Sequence, residues 1–162
     1  MQFSIGVEYA FHSLFYMVDL PERKTVGIKQ IAELNGITET YLSKVFAKLR
    51  KAGIVRSITG VRGGYELARR AEDISFWDII EAIEGTSFFF QCVEIRKKNI
   101  FVDDPSVFTD ECPCLIKVVI KEAEELFRNR LRTRSLRWLY DQVQNDFPEE
   151  KKKAITEWAK NI

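Results

Sequence analysis

Apolar side chains recur at helical spacing through most of this chain. Val7, Phe11, Leu14 and Val18 fall four, three and four residues apart, which predicts a helix over residues 4–18 with Ser4 as its N-cap. Pro21 and the polar stretch to Lys24 end it. Ile28, Ile31 and Leu34 share one face of a short second helix, and Asn35-Gly36 stops it. Thr38 caps a third helix whose apolar face is Leu42, Val45, Phe46 and Leu49; Gly53 ends that one. The β-branched run Ile54-Val55-Arg56-Ser57-Ile58 predicts a strand. Gly60, Gly63 and Gly64 allow a tight turn, and Tyr65-Glu66-Leu67 returns as the second strand. Two short helices joined at Asn35-Gly36-Ile37 and followed directly by a glycine-turned hairpin make a winged helix-turn-helix pattern, a module that lays one helix in the DNA major groove.

Ser75 caps a further helix over residues 75–84, with Phe76, Ile79, Ile80 and Ile83 facing inward and Gly85 as its stop. Phe88-Phe89-Phe90 reads as a short buried strand or an apolar plug. The pattern then fails from Glu94 to Asp110, and Asn99, Asp103-Asp104-Pro105 and Ser106 mark a long loop. From about Pro113 to Val143 a single long helix is predicted, carrying Ile116, Val119, Ala123, Leu126, Phe127, Leu131, Leu136 and Leu139. No second helix of that length covers this stripe, so we expect it to pack against its own copy; the alternative is a helix folded back on its own domain. The fold class expected is mainly α, a winged helix-turn-helix with a small β-hairpin wing and a long C-terminal dimerisation helix. The expected divisions are a DNA-binding domain over 1–85, a cysteine-bearing sensor loop over 86–112, the dimerisation helix over 113–145, and a tail or short helix over 146–162.

Composition narrows the class further. With 46% hydrophobic and 30% charged residues in 162, the chain is not a disordered one. No apolar run reaches the roughly 18 residues of a membrane span. The start Met1-Gln2-Phe3-Ser4 is without a basic side chain, and Glu8 and His12 interrupt the apolar stretch, so no signal peptide is expected and the cytoplasm is the expected compartment. The net charge of +1 hides an asymmetry: residues 1–71 carry +5, residues 72–111 carry −7 and residues 112–162 carry +3. Within the first block, residues 38–70 hold 8 basic and 2 acidic side chains. That local excess points to a polyanion partner or to ordinary solvated helix charges. Neither a phosphate-binding glycine loop nor a hydrolytic triad occurs, and one histidine limits acid–base chemistry, so no enzyme is expected. The 3 cysteines suit thiolate chemistry or a metal site better than a disulfide framework.

Four stretches, in order, carry a resemblance: Phe3-Ser4 with Glu8-Tyr9-Ala10; Ile37 with Tyr41-Leu42 and Leu49-Arg50-Lys51-Ala52-Gly53-Ile54-Val55; Gly60 with Gly63-Gly64-Tyr65 and Leu67-Ala68; and the helix beginning Cys114-Leu115. Over roughly residues 1–140 the chain resembles the Rrf-type winged-helix transcription regulators. The resemblance implies a homodimeric DNA-binding regulator acting on double-stranded DNA with a palindromic operator, most simply as a repressor. Many such regulators hold an iron–sulfur cluster on three cysteines in the loop before the dimerisation helix, with a fourth ligand that can come from the partner's first helix; others hold none. Here Cys112 sits beside Cys114 instead of being evenly spaced from Cys92, which departs from that pattern.

Two sets of residues follow as candidates. For DNA they are Thr38, Thr40, Tyr41, Lys44 and Lys48 on the third helix, with Arg56, Arg62 and Gly63 on the wing, where Arg62 is placed to enter a minor groove. For a metal they are Glu8, His12, Cys92, Cys112 and Cys114. Cys112 and Cys114 lie at the mouth of the long helix, whose dipole favours thiolate. Glu8 and His12, at i and i+4, project from one face of the first helix, either as a joint ligand pair or as a hydrogen-bonded helical pair. In the family's context we expect a 2Fe–2S cluster on two cysteines of one protomer, Cys112 and Cys114 with Cys92 as substitute, and on Glu8 and His12 of the other. Zinc, or no metal and a redox-active thiol, are the alternatives. A binding module that docks a metabolic enzyme is the remaining reading.

Overall fold

A computed structural model describes residues 2–21, 24–61, 63–86 and 88–162. The chain forms two compact units. The larger joins residues 2–85 to 131–162; the other comprises residues 86–130, inserted between those two segments.

In the larger unit α1 (Ile5–Phe15), α2 (Ile28–Asn35), α3 (Glu39–Lys51) and α4 (Phe76–Glu84) pack around one core. Leu14, Ile31, Leu42, Phe46, Leu49, Ile54, Ile74 and Ile79 are fully buried in it, each worth about 1.5–3 kcal/mol. Ser4 stands at the N-cap of α1, but its N–H and hydroxyl both donate to Glu84 on α4, at 2.9 and 2.6 Å. The turn between α2 and α3 is closed by a glycine: Gly36 takes φ 65°, its N–H meets Glu33 O, and Ile37 N–H meets Ala32 O at 2.9 Å. That paired closure fixes the angle at which α3 leaves α2. Ser75 caps α4 in a reciprocal arrangement with Asp78, at 2.8 and 3.1 Å.

The hairpin is antiparallel, β1 (Val55–Ile58) on β2 (Gly64–Leu67), with Val55 opposite Leu67 and Ile58 opposite Gly64. Val26, just before α2, pairs with Tyr65 as a short third edge. The wing is thereby tied to the helices at its base.

The single helix expected from 113 to 145 is divided. α5 (Leu115–Arg132) ends, the chain turns at Thr133 and is extended at Ser135, and α6 (Leu136–Asp146) begins with Ser135 as its cap. The backbone groups freed at the break are not lost. Arg134 O accepts from Phe76 N–H at 2.8 Å, and Leu136 N–H donates to Ile74 O at 2.8 Å, so the returning chain pairs with the entry to α4. Ser135 accepts from Trp138 N–H at 3.1 Å. The segment 146–162, expected as a tail or short helix, holds α7 (Glu149–Asn161). α6 and α7 lie on α1: Phe15 meets Tyr140 at 5.0 Å and Phe147 at 6.1 Å, and Tyr16 meets Trp158 at 5.8 Å.

In the inserted unit two short 3-10 turns, Ile95–Lys98 and Pro105–Val107, precede α5. Phe88, Phe89 and Phe90 form no strand and are exposed, correcting the buried strand expected there. Phe89 gives its N–H to buried Glu124 at 3.2 Å and its ring to Phe127 at 5.4 Å. A strand partner would have needed that N–H. Glu124 also pairs with Arg128 one turn on, and both are buried. On α5, Leu115, Ile116, Val119 and Leu126 are all at least 63% exposed, an apolar stripe uncovered within the chain. Among the described residues no helix is long and apolar enough to cross a membrane.

Candidate DNA interface and cysteine site

The second helix of the helix-turn-helix is α3. Its inner face is spent on Leu42, Val45, Phe46 and Leu49, which leaves Thr38, Thr40, Lys44, Arg50 and Lys51 exposed. Thr38 and Thr40 lie at its N-terminal end, the end that meets base edges in this kind of motif. Tyr41 is 37% exposed, and its ring lies edge-on to Tyr9 of α1 at 5.4 Å, so it braces the two helices as well as facing outward. Lys48 is committed elsewhere: its ammonium donates to Ile83 O at 2.7 Å, satisfying a carbonyl at the end of α4. Lys44, the other lysine expected to read DNA, is exposed on the outer face of α3.

On the wing, Arg56 pairs across the strands with Glu66, Nε to Oε1 at 2.6 Å. Arg62 lies outside the described residues. The two glycines that follow it have a steric reason. A β-carbon on Gly63 would stand 2.7 Å from Ile58 O and 2.9 Å from Gly60 O, inside the turn. One on Gly64 would stand 2.9 Å from the carbonyl carbon and oxygen of Val26, where the third edge passes. The Gly-Gly-Tyr run is therefore what lets the wing close and lie against Val26, with Tyr65 exchanging two backbone hydrogen bonds with it.

The cysteines lie in the inserted unit. Cys114 precedes α5, and its carbonyl accepts the first helical bond, from Val118 at 3.0 Å. Its thiol thus sits at the N-terminal turn. The N–H of Lys117, above all, holds its pKa below the ordinary thiol value; burial opposes this, and the Ile116 N–H, the Cys92 thiol and the Arg96 charge assist. Cys92 and Cys114 are half-buried and within hydrogen-bonding reach of each other, whereas Cys112 is exposed. The thiol that acts on Cys114 is that of Cys92. Glu8 and His12 are both exposed on α1 of the larger unit. Among the described residues no group of three or more His, Cys, Asp or Glu is placed to hold a metal ion.

Arg96 organises this corner and was not singled out from the sequence. It forks onto Glu94, donates to Cys112 O at 3.0 Å and Pro113 O at 3.4 Å, and lies 4.4 Å over the ring of Phe108. The Arg96 hydrogen bond in turn keeps Glu94 below its ordinary pKa. Glu94 holds a left-handed backbone, φ 51°, at the start of the turn that carries Arg96. The available signal was one arginine in an acidic stretch between the cysteines.

The model of the Rrf2 family, described as iron-dependent transcriptional regulators, matches residues 3–142. The chain belongs to this family. Protein rrf2 of Nitratidesulfovibrio vulgaris is 36% identical over 115 residues, 68% of this chain and 68% of that protein. Among solved structures, IscR of T. potens is similar with a TM-score of 0.64 at 26% identity, covering 92% of this chain and 93% of that one. The oxidized form of Staphylococcus aureus CymR is similar with a TM-score of 0.60 at 26% identity, covering 86% and 96%. This Rrf2-family chain is accordingly a DNA-binding transcriptional regulator and not an enzyme, in a family whose winged-helix members are dimeric.

Proposed function

We propose that this Rrf2-family chain is a homodimeric repressor whose grip on DNA follows the chemical state of the cysteines at the head of α5. The observation that carries the reading is the meeting of Cys92 and Cys114 at a helix N-terminus that favours thiolate. The exposed stripe of Leu115, Ile116, Val119 and Leu126 supplies a surface for a second copy. The basic, outward face of α3 and the wing supply the reader, and paired readers suit a palindromic operator.

In the leading form the state sensed is a 2Fe–2S cluster. The two cysteines Cys92 and Cys114 would supply half of the four ligands such a cluster needs, with Cys112 on the same loop; Glu8 and His12 of a second copy are the donors proposed for the rest. When bound, the cluster would supply a reversible one-electron or ligand-exchange signal. What the chain itself does is hold the Cys114 pKa below the ordinary thiol value through the α5 N–H groups and fix the Cys112-Pro113 backbone through Arg96. In the second form no metal is bound and Cys92 and Cys114 act as a dithiol, which their contact also favours.

Anaerobically purified protein separates these. Visible charge-transfer absorption with bound iron and sulfide, lost in Cys92→Ser and Cys114→Ser and altered in Glu8→Ala and His12→Ala, is the expected result. Colourless protein with zinc or no metal overturns the cluster form. Affinity for operator DNA should fall about 10³- to 10⁵-fold between about 50 and 200 mM salt if the dimer covers roughly six to ten phosphates. A binding curve indifferent to salt overturns the reader itself.

A further inference from the structure

We propose that the aromatic pocket between α1, α4, α6 and α7 is a binding site for a small organic carboxylate with an apolar tail. Every residue it uses lies in the larger unit, and His12 is the one it shares with the cluster reading; the sign of the ligand is argued from Lys151 and the absence of acidic residues among the described lining. The pocket has a volume of about 420 Å³, inside the span of roughly 300–1,000 Å³ that small-molecule sites occupy. Its walls are rings held in fixed mutual contact: Phe11 against Phe76 at 4.5 Å, and Phe15 against Phe147 at 6.1 Å. Those contacts pre-form the cavity, so a guest would not have to order it.

The polar side chains on this lining give the ligand its sign. Lys151, on α7, holds its ammonium 3.8 Å from the centre of the Phe147 ring, and His12 enters from the exposed face of α1. None of the described residues lining the pocket is acidic. Other cavities of the chain differ in this. The one beside α5 mixes Lys117 and Lys121 with Glu124 and Glu125, and the one at the base of the wing mixes Arg69 and Arg70 with Glu66 and Glu72. There the protein's own carboxylates answer its cations. Here they do not, and an anionic head on an apolar body is the chemistry that answers both the rings and Lys151. A cationic ligand would face Lys151 unpaired, and a neutral one would gain only from the rings.

The rings of Trp138, 6.0 Å from Phe76, and Trp158, 5.8 Å from Tyr16, abut lining residues, so tryptophan emission reports occupancy. We would titrate the full chain with 3-phenylpropionate and, separately, with 3-phenylpropan-1-ol, which keeps the tail and removes the charge. The expected result is a saturable change with the acid and weaker binding of the alcohol. Lys151→Gln should weaken the acid about three- to tenfold and leave the alcohol unchanged. Val143→Phe, which fills the pocket, should abolish both. Lys151 is exposed, so its variant tests the proposal even where the filled variant fails to fold. No saturable response, equal affinity for acid and alcohol, or acid binding that survives Val143→Phe in a folded protein would each overturn the assignment.

Discussion

Replacing Gly64 with alanine asks whether the Gly-Gly-Tyr run is a packing requirement. The new β-carbon would stand 2.9 Å from Thr25 Oγ1 and 2.9 Å from the carbonyl carbon and oxygen of Val26. Two of those three atoms are backbone, so no side-chain rotation relieves the clash. The chain before α2 must move away from the wing, and it then loses the paired Val26–Tyr65 bonds of 3.0 and 2.9 Å. Forcing one extra carbon into a packed site costs about 1–3 kcal/mol, and each backbone bond contributes about 0.5–1.5 kcal/mol net. The sum, with two such bonds lost, is about 2–6 kcal/mol, which for a chain of this size lowers Tm by roughly 4–24 °C. Gly36→Ala is the internal control. Its φ is 65° but nothing lies within 4 Å of the added carbon, so only the left-handed penalty of about 1–2 kcal/mol applies. Urea unfolding of both variants at one protein concentration, followed by tryptophan emission, measures the difference. If Gly64→Ala costs no more than Gly36→Ala, the steric account of the wing is wrong.

Three further outcomes follow from other parts of the molecule. Lys44→Ala should lower the salt slope of DNA binding by about one. Lys48→Met should instead cost about 1 kcal/mol of stability, through the lost bond to Ile83, and barely change the slope; equal effects of the two on the slope contradict the division of roles. The folded chain holds the Cys114 pKa below the ordinary thiol value near 8.5. Ionised Cys114 therefore stabilises the fold fully above that ordinary value, and the gain disappears as pH falls through the lowered one. Alkylation of Cys114 by iodoacetamide should accordingly reach half-maximal rate at a lower pH in native than in urea-denatured protein, and a native midpoint at or above the denatured one refutes this. Val119→Asp, at a position 63% exposed on α5, should leave the fold intact and turn a dimer into a monomer in sedimentation; an unchanged dimer removes α5 from the interface.

The winged helix was legible because each of its boundaries is local chemistry. Asn35-Gly36, Gly53, Ser75 and Gly85 act within a few residues of themselves, and apolar spacing marks the buried faces of α3 and α4. The break at Thr133-Arg134-Ser135 was not legible, because what rewards it is distant. Its freed backbone groups are taken up by Ile74 and Phe76, about sixty residues earlier, and the apolar spacing marks the gap with no more than one five-residue step, from Leu131 to Leu136. The same limit applies to the site. A cysteine at a helix mouth can be read from Cys-Pro-Cys before an apolar stripe. Its facing partner Cys92, and the use of Arg96 to hold the turn, depend on loop geometry that carries no period. The bond from Lys48 to Ile83 O was hidden for a related reason: on a basic helix end, a lysine bound to a distant carbonyl has the same sequence signature as one facing phosphate.

The pairing of Ile74 and Phe76 with residues 134–136 also sets an order of manufacture. Leu136 is wholly buried in the core that supports α4, so a nascent chain cannot complete that core until it has already synthesised all of 86–130. A ribosome that stalled before this point would release a fragment carrying α3 on an unfinished scaffold. Production of a competent operator-binding protein is thereby conditional on the cysteine segment having been translated first.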